Sequence, residues 1–305
     1  MKSIRQTSRV WMVAALSVAA LPAAIAAGGS ESSPVAWAFF SEVSGDGRVV
    51  FFGNQRDAVQ EQRFVTEGAI SLDFALASRG ERWWVRSRFT LQSDFGESVA
   101  DNLPFSPINT AYEVIPFVEY RRDAWLARAG WNHACQHLIY KENDAPWYLE
   151  EDVDVPPDAY YNRIFIGAGH REIRPELLRE TFFENRKSAE RPRVMGYVEA
   201  GGYLRKLPGM DRDSLYGGND WVADVRADLR LRLLTGNRWV LLAISQTHLL
   251  LDGQDDVFAR QRFQLEGVFA TRGFGSSIFV GAYPLDEHPR DSKDGMLELG
   301  AQFTF

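Results

Sequence analysis

The chain closes on Leu297-Glu298-Leu299-Gly300-Ala301-Gln302-Phe303-Thr304-Phe305, LELGAQFTF, and these nine residues alternate without a break. Leu297, Leu299, Ala301, Phe303 and Phe305 fall on one face of a strand, and Glu298, Gly300, Gln302 and Thr304 on the other. The same period governs Trp221 to Leu233. There Trp221, Ala223, Val225, Ala227, Leu229, Leu231 and Leu233 share a face, opposite Asp224, Arg226, Asp228, Arg230 and Arg232. Two architectures fit such a strand. In a soluble sandwich the apolar face turns inward and the arginines meet water. In a membrane barrel the apolar face meets lipid, where an arginine at the bilayer midplane costs about 2–4 kcal/mol, so the arginines line a wet, ion-paired interior.

The other end of the chain weighs against the sandwich. Lys2, Arg5 and Arg9 precede an apolar run from Val10 to Ala20, and Ala24, Ala26 and Ala27 offer a cleavage site. This predicts a signal peptide over residues 1–27, an uncleaved membrane anchor being the alternative. Beyond it no apolar run reaches the ~20 residues that a transmembrane helix needs, so a membrane-spanning chain must be a barrel. The terminal strand ending on Phe305 resembles the C-terminal signature through which outer-membrane proteins are recognised by the barrel-insertion machinery. The expected fold class is therefore all-β: a transmembrane antiparallel barrel of about twelve strands over residues 48–305. Residues 28–47 are expected as a periplasmic tail or plug, and the outer membrane of a Gram-negative bacterium as the location.

Composition is consistent with this. The 305 residues are 45% hydrophobic and 13% aromatic, with a net charge of −7 and one cysteine. The acidic balance argues against a nucleic-acid partner. A single cysteine excludes an internal disulfide. From Arg48 onward, segments of about ten residues alternate in hydrophobicity between turn signals. Long connections at Asn54–Arg63, Ser93–Asn109, Leu138–Asp158, Leu207–Asp220, Asp252–Asp256 and Leu285–Gly295 alternate with short ones at Ser78–Glu81, Arg121–Ala124, Thr235–Arg238 and Thr271–Gly273. Long outer loops and short periplasmic turns are the barrel pattern. Glu172–Arg191 breaks it, being long, charged and helix-like on the periplasmic side. The expected lumen carries both signs: Glu67, Asp73, Arg86, Arg88, Glu113, Glu119, Arg128, Arg163, Glu199, Asp224, Arg226, Asp228, Arg230, Arg232, Arg260, Arg262, Glu266 and Glu298. That predicts a largely filled, salt-bridged interior rather than a selectivity ring of one sign. Trp83, Val85, Phe89 and Leu91 are expected outward, opposite Trp84, Arg86, Arg88 and Gln92.

Trp125–His137, WLARAGWNHACQH, carries the candidate chemistry. Trp125, Ala127, Ala129, Trp131, His133, Cys135 and His137 share the outward face. On the next strand Asn162 is in step with Ile164, Ile166 and Ala168, again outward. A nucleophile, a base and an amide that orients the base make the general triad arrangement. Asn132-His133-Ala134-Cys135, followed by Tyr161-Asn162-Arg163-Ile164, resembles outer-membrane phospholipase A. That family is a twelve-strand barrel hydrolase with Asn-His-Xaa-Ser on one strand and an Asn-Arg segment on the next. The resemblance implies Cys135 as nucleophile, His133 as base and Asn162 as its orienter, acting on lipid acyl esters at the outer leaflet. It also implies a homodimer and Ca2+ near the site, for which Asp144, Glu150, Glu151, Asp152 and Asp154 would offer oxygen ligands.

Cys135 stands in place of the family's serine, His137 stands where glycine is usual, and the loop after it is longer. His-Xaa-Cys-Xaa-His also resembles uncharacterised outer-membrane barrels with serine at the middle position. His133 and His137, ~13 Å apart along a strand, are too distant to share one metal ion, whereas Cys135 could join either. The non-enzymatic alternative is a structural barrel or narrow solute channel carrying a relic site.

Overall fold

A computed structural model describes residues 36–56, 64–98, 103–138, 158–171, 193–204, 221–271, 274–288 and 292–304. Twelve strands run in chain order: β1 Trp37–Gly53, β2 Thr66–Arg79, β3 Trp83–Ser98, β4 Leu103–Arg122, β5 Trp125–Leu138, β6 Asp158–His170, β7 Val194–Tyr203, β8 Trp221–Thr235, β9 Trp239–Asp252, β10 Val257–Thr271, β11 Phe274–Asp286 and β12 Leu297–Thr304. Each pairs with its sequence neighbours, and β1 pairs antiparallel with β12, from Asp46 opposite Thr304 to Gly53 opposite Leu297, closing the barrel. Closure leaves no bare edge along that seam, as a membrane-spanning sheet requires.

The alternation sorts side chains as the sequence predicts. Val225, Leu229, Leu297, Leu299 and Phe303 are exposed on the outer surface, as are Phe89 and Leu91 on β3. Arg86, Arg163 and Arg230 are buried in the interior with Asp73, Glu119, Asp224 and Glu298. There they pair: Arg86 Nε with Asp73 at 2.5 Å, Arg163 Nε with Asp224 at 2.6 Å, and Arg128 Nε with Glu119 at 2.8 Å. A buried charge survives only with a partner and further hydrogen bonds, and each of these has a carboxylate. Rings and guanidinium groups occupy part of the space between, but two adjoining cavities of about 550 and 450 Å3 remain, so the interior is less filled than its charge pattern predicts. A Cβ on Gly130 would lie 2.6 Å from Phe117 Cβ, and one on Gly201 2.2 Å from Arg163 Nε, so both glycines are there to let a neighbour lie against the wall.

The short connections lie at one end. Asp123, with φ 53°, turns the chain between β4 and β5, and Gly80, φ 59°, between β2 and β3. Several expectations need correction. Ser93–Asn109 is mostly strand: β3 continues to Ser98 and β4 starts at Leu103, with register shifts at Asp94/Phe95 and Gly96/Ser98. The polar run there reads as loop, yet beyond the apolar band a hairpin can pair without an apolar face. Asp252–Asp256 is likewise a tight turn, capped by Asp252 Oδ1 accepting from the backbone N–H of Gln254 and Asp256 at 2.8 and 3.0 Å. Trp221 does not share the outward face of its strand. A register shift between Trp221 and Ala223 turns its ring inward, where it packs with Leu250, Tyr161, Tyr203 and Phe258. β1 starts at Trp37, ahead of Arg48. The signal segment 1–27, residues 28–35, the carboxylates of the β5–β6 loop, Glu172–Arg191 and Phe305 lie outside the described residues.

Candidate active site

β5 rises from the turn at Asp123, and β6 descends beside it. Trp125 is opposite His170, His133 opposite Asn162, and His137 opposite Asp158. No register shift interrupts this pairing, so the alternation set at the turn reaches the site unchanged. Leu126, Asn132 and Ala134 are buried, while Arg128 lines the interior cavity with Leu126 and Asn132. His133 and Cys135, one step out of phase, sit on the other face with Trp131 and the strongly exposed Trp125. Ten residues from Trp125 to Cys135, at ~3.3 Å each and a tilt of ~40°, climb about 25 Å. An outer-membrane apolar band is about that tall, the height that separates Trp125 from Cys135.

The three expected side chains meet. His133 Nδ1 lies 2.9 Å from Asn162 Oδ1, and Cys135 Sγ lies 3.1 Å from His133 Nε2. An amide oxygen can only accept, so Nδ1 carries the ring proton. Nε2 is then left with its lone pair toward the thiol, which donates to it. The chain of donors runs Cys135 S–H to His133 Nε2, and His133 Nδ1–H to Asn162 Oδ1. Asn162 is 2% exposed, and its carbonyl accepts from Leu204 N at 2.8 Å, so the backbone beneath the amide is fixed independently of its side chain.

Around the triad the wall is apolar. Val114 on β4 is opposite His133 and Tyr112 opposite Cys135. Trp131 lies with its ring centroid 5.8 Å from that of His133, and exposed Ile164 is opposite Trp131. On the lumen side Glu113 Oε1 accepts from Tyr161 Oη at 3.0 Å and from Asn132 Nδ2 at 3.4 Å. Arg163, next to Asn162, is clamped between Asp224 and Glu199. These polar links tie β4, β5, β6, β7 and β8 behind the site and hold its geometry. Alternation puts Glu113 and Arg163 in the lumen but does not reveal this support, because it gives a side chain's face and not its partner.

The His137 ring packs on Tyr112 at 5.2 Å. Among the described residues no set of three His, Cys, Asp or Glu side chains is arranged to hold a metal ion. The loop carboxylates that the resemblance would offer to Ca2+ lie outside the described residues.

No family model matches the sequence, and no curated protein matches it. Among solved structures, outer membrane phospholipase A from Escherichia coli is 12% identical over 86% of this chain and 95% of that chain, with a TM-score of 0.47. An outer-membrane channel from Pseudomonas putida F1 is 11% identical over 91% of this chain and 99% of that one, with a TM-score of 0.50. The KdgM porin is 7% identical over 86% and 99%, with a TM-score of 0.43. At these identities the likeness is one of fold. The chain has the closed twelve-strand barrel architecture, and its solved neighbours are outer-membrane barrels that include an enzyme, a porin and a channel.

Proposed function

We propose that this protein is an acyl-ester hydrolase of the outer membrane of a Gram-negative bacterium, acting on lipids of the outer leaflet. The observation that carries the reading is the unbroken hydrogen-bonded series Cys135–His133–Asn162 on the barrel's outward face. Lipid esters would reach it from the membrane without entering the lumen. In the first half-reaction His133 Nε2 takes the thiol proton as Cys135 Sγ attacks the ester carbonyl. The tetrahedral intermediate collapses to an acyl thioester, and the imidazolium returns its proton to the departing alcohol oxygen. In the second half, His133 Nε2 removes a proton from water. The hydroxide attacks the thioester, releasing a carboxylic acid and the thiol. Asn162 holds the ring in one tautomer throughout. Ca2+, homodimerisation and insertion through the Phe305 strand belong to the same proposal.

Refolded protein in detergent with Ca2+ is expected to release fatty acid from dioctanoyl phosphatidylcholine, and Cys135→Ala to abolish the release. Equal release by Cys135→Ala, or none from a folded dimer, would transfer the protein to a second reading, a narrow solute channel. A specific observation favours that second reading. Two interior cavities of about 550 and 450 Å3 adjoin along the barrel, sharing Arg48, Glu113, Tyr197, Arg226, Gln246 and Arg262 in their walls.

A further inference from the structure

The smaller of these cavities occupies the half of the lumen nearer the long loops, with Trp221, Tyr203, His288 and Lys293 in its wall. Cys135, Glu113 and Tyr161 also border it, but the proposed lipid hydrolysis takes place on the outward face and not inside it. Its ion pairs share an asymmetry that the purely structural role of a salt bridge does not require. Arg226 is 35% exposed and its partner Asp224 0%; for Arg260 and Asp286 the values are 27% and 0%. Arg48 and Glu67 are 32% and 2% exposed, and Arg262 and Glu298 12% and 1%. In each pair the carboxylate is sunk in the wall and the guanidinium projects into the lumen. Arg163 and Arg86 show that this barrel also builds pairs with the arginine fully buried, at 1% and 0%. Arg128, 19% exposed beside Glu119 at 0%, has the same asymmetry in the other cavity, so projecting arginines line both cavities, and four of them border this one.

On β6 to β8 the cavity has an aromatic wall. The rings of Tyr161, Tyr203 and Trp221 pack together with centroids 5.4–5.9 Å apart, and His288 meets Trp221 edge-on at 5.4 Å. The hydroxyls are tethered, Tyr161 to Glu113 and Tyr203 to Asp224, which holds the rings in place. Trp221 is part of this wall only because of the β-bulge that turns it inward. Glu113, Asp228 and Gln246 add hydrogen-bond acceptors to the lining.

We infer that this half of the lumen is a binding site for an acidic saccharide. A guanidinium carries five N–H donors, more than one carboxylate takes, so an arginine that faces the lumen in front of a buried carboxylate can also donate to a ligand carboxylate. Packed rings suit the C–H faces of a pyranose, and the wall carboxylates and amide suit its hydroxyls. An apolar ligand would leave the arginines unsolvated, and a neutral sugar would accept only the weaker, singly charge-assisted hydrogen bonds from them. A volume of about 450 Å3 is within the usual range for a small-ligand pocket.

The test is isothermal titration calorimetry of the refolded barrel in detergent with sodium glucuronate, glucose and benzoate. Glucuronate is expected to bind saturably, at least about 10-fold tighter than glucose or benzoate, and more weakly as salt is raised. Arg226→Gln and Trp221→Leu should each weaken glucuronate about 10-fold or more, Arg226→Lys should recover part of the loss, and Ile164→Ala, exposed and outside both cavities, should bind as wild type. Retained heat-modifiable migration on gels shows that each variant is folded. The inference fails if glucuronate gives no saturable heat, if glucose or benzoate binds as tightly, or if both lumen variants, folded, bind as wild type does.

Discussion

Asn162→Ala isolates one link of the proposed catalytic chain. The substitution leaves the backbone bonded, since Leu204 N still donates to the carbonyl of residue 162 and the β5–β6 pairing is a main-chain ladder. It removes one contact of 2.9 Å, from His133 Nδ1 to Asn162 Oδ1. The amide is 2% exposed, so water does not freely replace it, and a ring N–H left without its acceptor costs about 1–3 kcal/mol. If that energy is what holds the productive tautomer over the others, the fraction of competent sites falls by about 5- to 150-fold, at 1.36 kcal/mol per factor of ten. The expected outcome is a drop of that size in kcat with KM nearly constant, measured as initial rates of thioester or phospholipid cleavage in mixed micelles. Asn162→Asp restores an acceptor, so it should recover part of the activity despite the charge it adds. A folded Asn162→Ala protein with wild-type kcat would refute the assigned role of the amide.

Four further outcomes are expected. Cys135 is the one cysteine in the chain, so iodoacetamide can modify no other thiol; full alkylation should abolish hydrolysis as Cys135→Ala does, while Cys135→Ser keeps a fraction. His133→Ala should cost about as much as Cys135→Ala, and the double variant no more than either, since members of one catalytic unit are not additive; rates of the three variants decide this. Glu67→Gln leaves Lys293 and Arg48 without their shared carboxylate and should destabilise the barrel by about 3–5 kcal/mol in urea titrations. In the β11–β12 connection burial works against the Lys293 charge, but Glu67, Tyr283 and Asp94 outweigh it and raise its pKa above the ordinary 10.5. A raised lysine stabilises fully below its unfolded value and loses that contribution as pH rises through the folded one, so wild-type stability should fall above about pH 10.5, and Lys293→Met should be less pH-sensitive there.

Much of this molecule is legible in a period of two. The face of nearly every interior charge, and the meeting of His133, Cys135 and Asn162, follow from counting residues from the turns at Asp123 and Gly80. Counting fails where a strand gains a residue. The bulge after Trp221 moves an indole from the expected lipid girdle to the lumen, and nothing in WVADV marks it. Hydrophobicity also fails past the apolar band, as in Ser93–Ser98, where pairing continues on backbone hydrogen bonds and side chains are free to be polar. Partner choice is the third limit. Arg226 and Arg163 read alike in sequence, yet one projects and the other is sealed against Gly201, because that depends on the neighbouring strand.

The seam between β1 and β12 sets the order in which this chain can assemble. Asn109 and Leu138 are separated by 29 positions, Asp46 and Thr304 by 258. Loop-closure entropy grows as (3/2)RT ln n, so the seam carries a handicap of about 2 kcal/mol over such a hairpin before any hydrogen bond forms. The hairpins should therefore zip first, and ring closure should come last as the slow step. Glu67 is placed to favour that step: it takes Arg48 from β1 on one side and Lys293 from the approach to β12 on the other, drawing the two ends of the sheet together.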